Sequence, residues 1–327
     1  MKYRRKDAKD YARQNLKGIW AASLTPFTQT YQLDEQGLRQ NIKHWIHDLG
    51  IAGLFVSGKQ GEFFSLSVSE RKRTFEIAVE ETSIAGRTMM SCSDQNLDTV
   101  IELAKYSQDI GADFIVVHAP VLHFVNPVDE TVYEYYRYIA EQVEIGIAMW
   151  SHPDSGYIMS PHLCARLADL PNIVAIKYSV PRATYAELTH LAKKKLIVSS
   201  ASEEDWLENI LELGWQVYLC STPPFLLQTA TDRRMDLYTK LALNGEADRA
   251  RVVRDSLNPV RKALSTTRPP GKVHAHQKYW LELLGQIGGL VRRPLLQLTD
   301  AEKAATRAAF STCGLAGVGT ADTFQGH

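Results

Sequence analysis

The run Asn172-Ile173-Val174-Ala175-Ile176-Lys177-Tyr178-Ser179 is apolar until it meets a lysine. Continuous Val, Ile and Ala is the pattern of a strand buried on both faces of a parallel sheet, and an ammonium just beyond such a strand is only partly hydrated. Desolvation disfavours the charged form of lysine, so Lys177 can present a neutral amine, a nucleophile towards carbonyl carbon, near neutral pH. A lysine that closes a strand is more often a solvated cap. The run alone does not separate the two cases.

Other stretches place reactive or polar side chains after apolar runs. In Gly58-Lys59-Gln60-Gly61-Glu62 the glycines permit a tight loop whose backbone N–H groups can hold an anion, while Lys59 and Gln60 are candidate substrate contacts. Lys59 reads equally as a solvated loop lysine, and Glu62 as a support of the loop rather than a catalyst. Trp150-Ser151-His152-Pro153 joins a large ring to a histidine. An indole donates a hydrogen bond and can wall a pocket but cannot act as a base, whereas His152 titrates in the range that proton transfer needs. His118, Ser199-Ser200 and Cys220-Ser221-Thr222 end further runs; Ser200 and Cys220 are candidate substrate contacts, and His118 has no defined role.

The elements that position these residues follow from periodicity. Strand candidates at 18–23, 52–56, 88–91, 114–118, 146–150, 172–177, 196–199 and 217–220 alternate with helical spacings at 34–49, 67–79, 97–110, 132–143, 160–170, 185–194 and 205–213. Eight strand and helix units with short connections predict an α/β fold, a closed (β/α)8 TIM barrel, whose chemistry sits at the carboxyl ends of its strands. A doubly wound open sheet would carry a Gly-rich loop after its first strand, and Leu24-Thr25-Pro26-Phe27 is not one. The expected organisation is a polar extension at 1–16, the barrel at 17–224 and helices at 225–313 that complete and pack on it. The helical block reads as spans at 225–243, 246–264, 273–284 and 299–310, and a tail at 314–327 is expected to be disordered.

Composition narrows the classes. With 37 basic and 37 acidic residues the formal charge is zero, so no net field draws in nucleic acid or an anionic membrane. No stretch reaches the roughly 18 apolar residues of a membrane span, and residues 1–14 lack the apolar core of a secretory signal. The four cysteines lack the close pairs of a zinc or redox site, so no metal is expected and they read as reduced thiols of a cytoplasmic protein.

Taken together, the order of the 18–26 start, Gly58-x-x-Gly61-Glu62, Pro120, Pro153, Ile176-Lys177 and Gly288-Gly289-Leu290-Val291-Arg292-x-Pro294 resembles the dihydrodipicolinate synthase and N-acetylneuraminate lyase family of class I aldolases, over about residues 17 to 314. The resemblance implies a Schiff base between Lys177 and pyruvate or another 2-keto acid, no other cofactor, a carboxylate held by residues 58–62, and a homotetramer built as a dimer of dimers. Departures accompany it. The family's Gly-Thr-Thr-Gly-Glu loop has Lys59 and Gln60 in the threonine places, and its strand-5 tyrosine, which relays protons, is Trp150. The arginine that grips the synthase's second substrate is absent from Pro153-Asp154-Ser155-Gly156, and Val121-Leu122-His123-Phe124 lacks the expected aromatic partner. The reading is therefore a Schiff-base lyase or aldolase other than dihydrodipicolinate synthase itself. A dehydratase or hydrolase using the same imine, or a catalytically weakened keto-acid-binding protein, is the alternative.

Overall fold

The structure is a computed structural model that describes residues 2–82, 85–122, 128–200, 202–219 and 222–317. Eight strands, β1 (Gly18–Ala22), β2 (Gly53–Val56), β3 (Arg87–Ser91), β4 (Phe114–His118), β5 (Gly146–Ser151), β6 (Ile173–Tyr178), β7 (Ile197–Ser199) and β8 (Val217–Leu219), lie in the order β7-β6-β5-β4-β3-β2-β1-β8, with every pairing parallel. Between β7 and β8 the Leu219 N–H donates to Ser199 Oγ at 2.8 Å, which draws the two ends of the sheet together. The expected (β/α)8 barrel is the fold. Its strands are buried almost throughout because helices cover one face and packed side chains fill the other, which is why they read as unbroken apolar runs.

Helices α2 (Glu35–Lys43), α3 (Val68–Thr82), α4 (Leu97–Asp109), α5 (Asp129–Gln142), α6 (Pro161–Leu167), α7 (Arg182–Ala192) and α8 (Trp206–Leu213) follow β1 to β7 in turn. Asp34 caps α2 by accepting from the Gly37 N–H, as its position before the apolar spacing predicts. After β8 come α9 (Arg234–Leu243), α10 (Ala247–Asp255), α11 (Asn258–Thr266), α12 (Val273–Leu283) and α13 (Asp300–Ser311). The last is capped by Thr299 in a reciprocal box with Glu302.

Three spans differ from the sequence reading. The lead at 1–16 is not merely a polar extension, since it forms α1 (Ala8–Asn15) and packs Ala8, Ala12 and Leu16 into the core. Those three lie four residues apart, a stripe that a composition of charges conceals. The span 225–243 begins as a 3-10 turn, Pro224–Leu226, and breaks before α9, where Thr229 Oγ1 accepts from the Asp232 N–H and competes with helical bonding. The span 246–264 divides into α10 and α11 because Pro259 has no N–H to donate and is tolerated only in a first turn. At the carboxyl end, the Ala316 carbonyl accepts from Thr229 Oγ1 and its N–H donates to Asp232; residues 318–327 lie outside the described residues.

Residues 2–16 brace the amino-terminal ends of the strands. Tyr3 Oη donates to the Asp113 carbonyl at 2.5 Å and accepts from the Gly146 N–H at 2.8 Å. Asp113, almost wholly buried, takes Tyr11 Oη and Lys2 Nζ on one carboxylate oxygen and the Thr88 N–H on the other. The later helices are fastened to the barrel through large rings. Trp45 stacks on Phe225 with centroids 4.1 Å apart, and the Trp280 indole donates to the Leu226 carbonyl.

Candidate active site

Lys177 occupies the fifth position of β6, and its register partners are Trp150 on β5 and Ser199 on β7; Trp150 in turn is paired with His118 on β4. Partners in a parallel sheet project from the same face, so His118, Trp150, Lys177 and Ser199 form one row. That row faces the barrel interior, because Lys177 Nζ lies 5.2 Å from the ring centroid of Phe55 on β2 as well as 5.2 Å from that of Trp150. Lys177 is 1% exposed. Tyr178, the next residue, turns outward and donates to the Met159 carbonyl at 2.5 Å, as strand alternation requires. The sequence run thus delivers a buried lysine between two aromatic faces.

Phe55 and the glycine loop are locked together. A Cβ on Gly58 would stand 2.8 Å from the Phe55 ring, and one on Gly61 would stand 3.1 Å from the Ser23 carbonyl oxygen. The loop closes by Glu62 N–H to Lys59 carbonyl at 3.0 Å and Phe63 N–H to Gly58 carbonyl at 3.3 Å. Ser57 and Glu62 flank it at φ 50° and 56°, left-handed conformations that cost a residue with a side chain about 1–2 kcal/mol each. Compensation comes from outside the loop. Ser57 Oγ bonds Thr74 Oγ1 at 2.7 Å, and the fully buried Glu62 carboxylate meets Lys278 Nζ at 2.5 Å and the Arg292 N–H at 2.9 Å. Lys278 itself is buried and also donates to the Leu290 carbonyl, while His274 Nε2 donates to the Lys59 carbonyl. Gly58→Ala forces the Phe55 ring off its place beside Lys177; overpacking of this kind costs about 1–3 kcal/mol, to be read as a lower urea midpoint.

Lys59, one of the two candidate contacts at the threonine places, reaches across to Asp154 in the turn after β5, with Nζ to Oδ2 at 2.5 Å. Both line a cavity of about 480 Å³ whose walls include Phe63, Phe64, Val68, Pro120, His118 and Trp150, with Arg71 and Asp94 on its polar side. Lys177 does not line this cavity. Trp150 connects the two, being a cavity wall and a direct neighbour of the lysine. Its ring stands edge-on to Phe55 and to His118, at 5.6 and 4.7 Å between centroids, and its indole N–H is buried without an acceptor among the described residues.

The two histidines near Trp150 are set differently. His118 Nδ1 lies 2.8 Å from the Ala119 carbonyl, which can only accept, so Nδ1 carries the proton and Nε2 keeps a free lone pair in the neutral ring. Burial pushes its pKa down to about 4. His152 instead accepts the Asp154 N–H on Nδ1 at 3.1 Å, in the manner of a capping residue, and does not line the cavity. Burial lowers its pKa as well, against the pull of the Asp154 carboxylate.

Of the residues singled out from the sequence, the structure gathers Lys177, Trp150 and the Gly58–Gly61 turn. Gln60 is buried in that turn, and Ser200 is buried after β7, where its carbonyl accepts from Ser199 Oγ. Cys220 lies outside the described residues, as do His123 and Phe124. Phe55, Asp154 and the fixed tautomer of His118 were not legible as site features. A count of register back from the strand ends would have placed His118 and Trp150 on one face with Lys177. Among the described residues no cluster of His, Cys, Asp and Glu is arranged to hold a metal ion, and no helix is long and apolar enough to cross a membrane.

The description "Dihydrodipicolinate synthetase family" matches residues 15–312. A 4-hydroxy-tetrahydrodipicolinate synthase of Methanothrix thermoacetophila is 28% identical over 293 residues, covering 89% of this chain and 95% of its own. Among solved structures, CdNal from Clostridium difficile in complex with mannosamine superposes with a TM-score of 0.79 at 26% identity, covering 90% of this chain and 98% of the other. YagE, a prophage protein of the dihydrodipicolinic acid synthase family from E. coli K12 in complex with pyruvate, gives 0.81 at 23% identity, with 91% and 99% covered.

Proposed function

The chain belongs to the dihydrodipicolinate synthetase family, a family of lyases and aldolases, and from that membership we propose that it is a Schiff-base lyase or aldolase acting on pyruvate or another 2-keto acid through Lys177. The observation that carries this reading is the lysine's setting: 1% exposed, between Phe55 and Trp150, on the inward row of a barrel whose glycine loop packs on the same Phe55 ring. Nζ attacks the C2 ketone, and loss of water leaves an iminium that draws electrons from C3. A bond to C3 is then made or broken through the enamine. The Gly58–Gly61 turn is assigned to the substrate carboxylate, which needs N–H donors rather than the hydroxyls that Lys59 and Gln60 lack.

The substrate beyond C3 is assigned to the cavity next to Trp150. Aromatic walls with Lys59, Arg71 and Asp94 on the polar side accommodate an apolar body with a polar edge. The turn after β5 carries no arginine, and Trp150 stands where a proton-relaying tyrosine is expected, so we assign an activity distinct from that of the curated synthases. Borohydride reduction in the presence of pyruvate is expected to add the mass of the reduced adduct to the peptide bearing Lys177. An unmodified lysine across a panel of 2-keto acids would sink this function.

A further inference from the structure

With a tryptophan at the end of β5, the proton must move by another group. Trp150's neighbour in the row is His118, one strand further from Lys177. Adjacent strands lie about 4.8 Å apart, so the backbones of His118 and Lys177 are separated by roughly 10 Å; the Trp150 ring neighbours both side chains, and a substrate attached to Nζ meets the imidazole by extending along that ring. His118 lines the cavity, its ring is held edge-on against Trp150, and its Nδ1 is tied to the Ala119 carbonyl. Only Nε2 is left to take a proton.

Resting on the imine assignment above, we propose that His118 is the proton-transfer residue of this site, with the Trp150 indole N–H available to the oxygen that gives up the proton. In the cleavage direction a 4-hydroxy-2-keto acid is held as the Lys177 iminium. His118 Nε2 takes the proton of the C4 hydroxyl, the C3–C4 bond breaks, and its electron pair passes to the iminium nitrogen to give the enamine. C4 leaves as an aldehyde. The imidazolium then returns its proton to C3, restoring the iminium, which water hydrolyses to free Lys177 and the shorter keto acid.

Several other titratable groups are engaged elsewhere, while the hydroxyls of Tyr135 and Tyr157 are buried without a hydrogen-bond partner among the described residues. His152 Nδ1 is occupied by the Asp154 N–H, the Asp154 carboxylate by Lys59, and the hydroxyls of Tyr136 and Tyr178 donate to the Val117 and Met159 carbonyls. The charged groups around His118 are Lys59 and Asp154 on one side and Arg71 paired with Asp94 across the cavity, with His152 beside them. Desolvation outweighs their sum and keeps the ring neutral above its depressed pKa of about 4, the form that accepts a proton.

Exchange of the pyruvate methyl protons in D2O, followed by NMR, reads the proton step without requiring the natural substrate, and borohydride trapping reads the imine separately. His118→Asn keeps a donor for the Ala119 carbonyl and removes the Nε2 lone pair together with the ring's edge contact with Trp150. It is expected to retain the Lys177 adduct while exchange falls on the order of 10²–10⁴-fold. His118→Gln, made in parallel, is expected to show the same split. Exchange at the parent rate in either folded variant overturns the proposal, as does loss of exchange in His152→Gln with His118→Asn unaffected. Joint loss of adduct and exchange in both His118 variants also overturns it, by making the histidine a support of the pocket. A parent protein that forms no adduct refutes the imine itself, an outcome visible before any variant is compared.

Discussion

Lys177→Met leaves a folded protein that forms no borohydride-stable adduct with pyruvate and turns over at least on the order of 10³-fold more slowly than the parent. Methionine matches the lysine stem in length and flexibility, so it fills the space between Phe55 and Trp150 and removes the amine alone. Lys177→Arg extends the test, since a guanidinium keeps its charge at every working pH and forms no imine with a ketone. Steady-state rates on whichever keto acid traps best, with thermal midpoints measured on the same samples, separate lost chemistry from lost fold. An adduct that persists at another lysine in the methionine variant would rule the assignment out.

The second large effect lies in stability. Glu62 and Lys278 meet at 2.5 Å with exposures of 0% and 1%, so removing one partner strands the other in the interior. Lys278→Met and Glu62→Gln are each expected to destabilise the protein by about 3–5 kcal/mol, whereas the double variant recovers a substantial part of that loss because no unpaired charge remains. Urea unfolding of the four proteins closes the cycle. Single variants within error of the parent would show that the pair contributes nothing. The consequence reaches the site, because the pair anchors the left-handed Glu62 at the end of the glycine loop and ties that loop to α12.

The barrel was legible because each strand is an unbroken apolar run and each helix an amphipathic spacing, and Lys177 because a charge ends one of those runs. Legibility failed where a partner lies far away in the chain. Nothing near Glu62 announces Lys278, and nothing near Lys59 announces Asp154. The two histidines illustrate the same limit: His152 stands in the conspicuous turn, yet the register of β4 and β5 puts His118 in line with Lys177 and against the cavity. Helix α1 was hidden for a compositional reason, the buried Ala8 and Ala12, with Leu16 just past its end, being outnumbered by charged neighbours. Pro259 was visible in the sequence but was outweighed by the apolar spacing on either side of it.

Tyr3 and Tyr11 reach Asp113 and Gly146, Arg5 reaches the Val143 carbonyl, and the Lys9 ammonium reaches the Ala168 carbonyl. Every one of these partners is made by the ribosome long after residues 2–16 have emerged. The segment that braces the floor of the barrel therefore gains its partners stepwise, from Arg87 and Asp113 to Gln216, as β3 to β8 are synthesised, and its contacts are complete only as the sheet curls. Contacts spanning that much chain are slow to form, and they place closure of the floor late in the birth of the molecule.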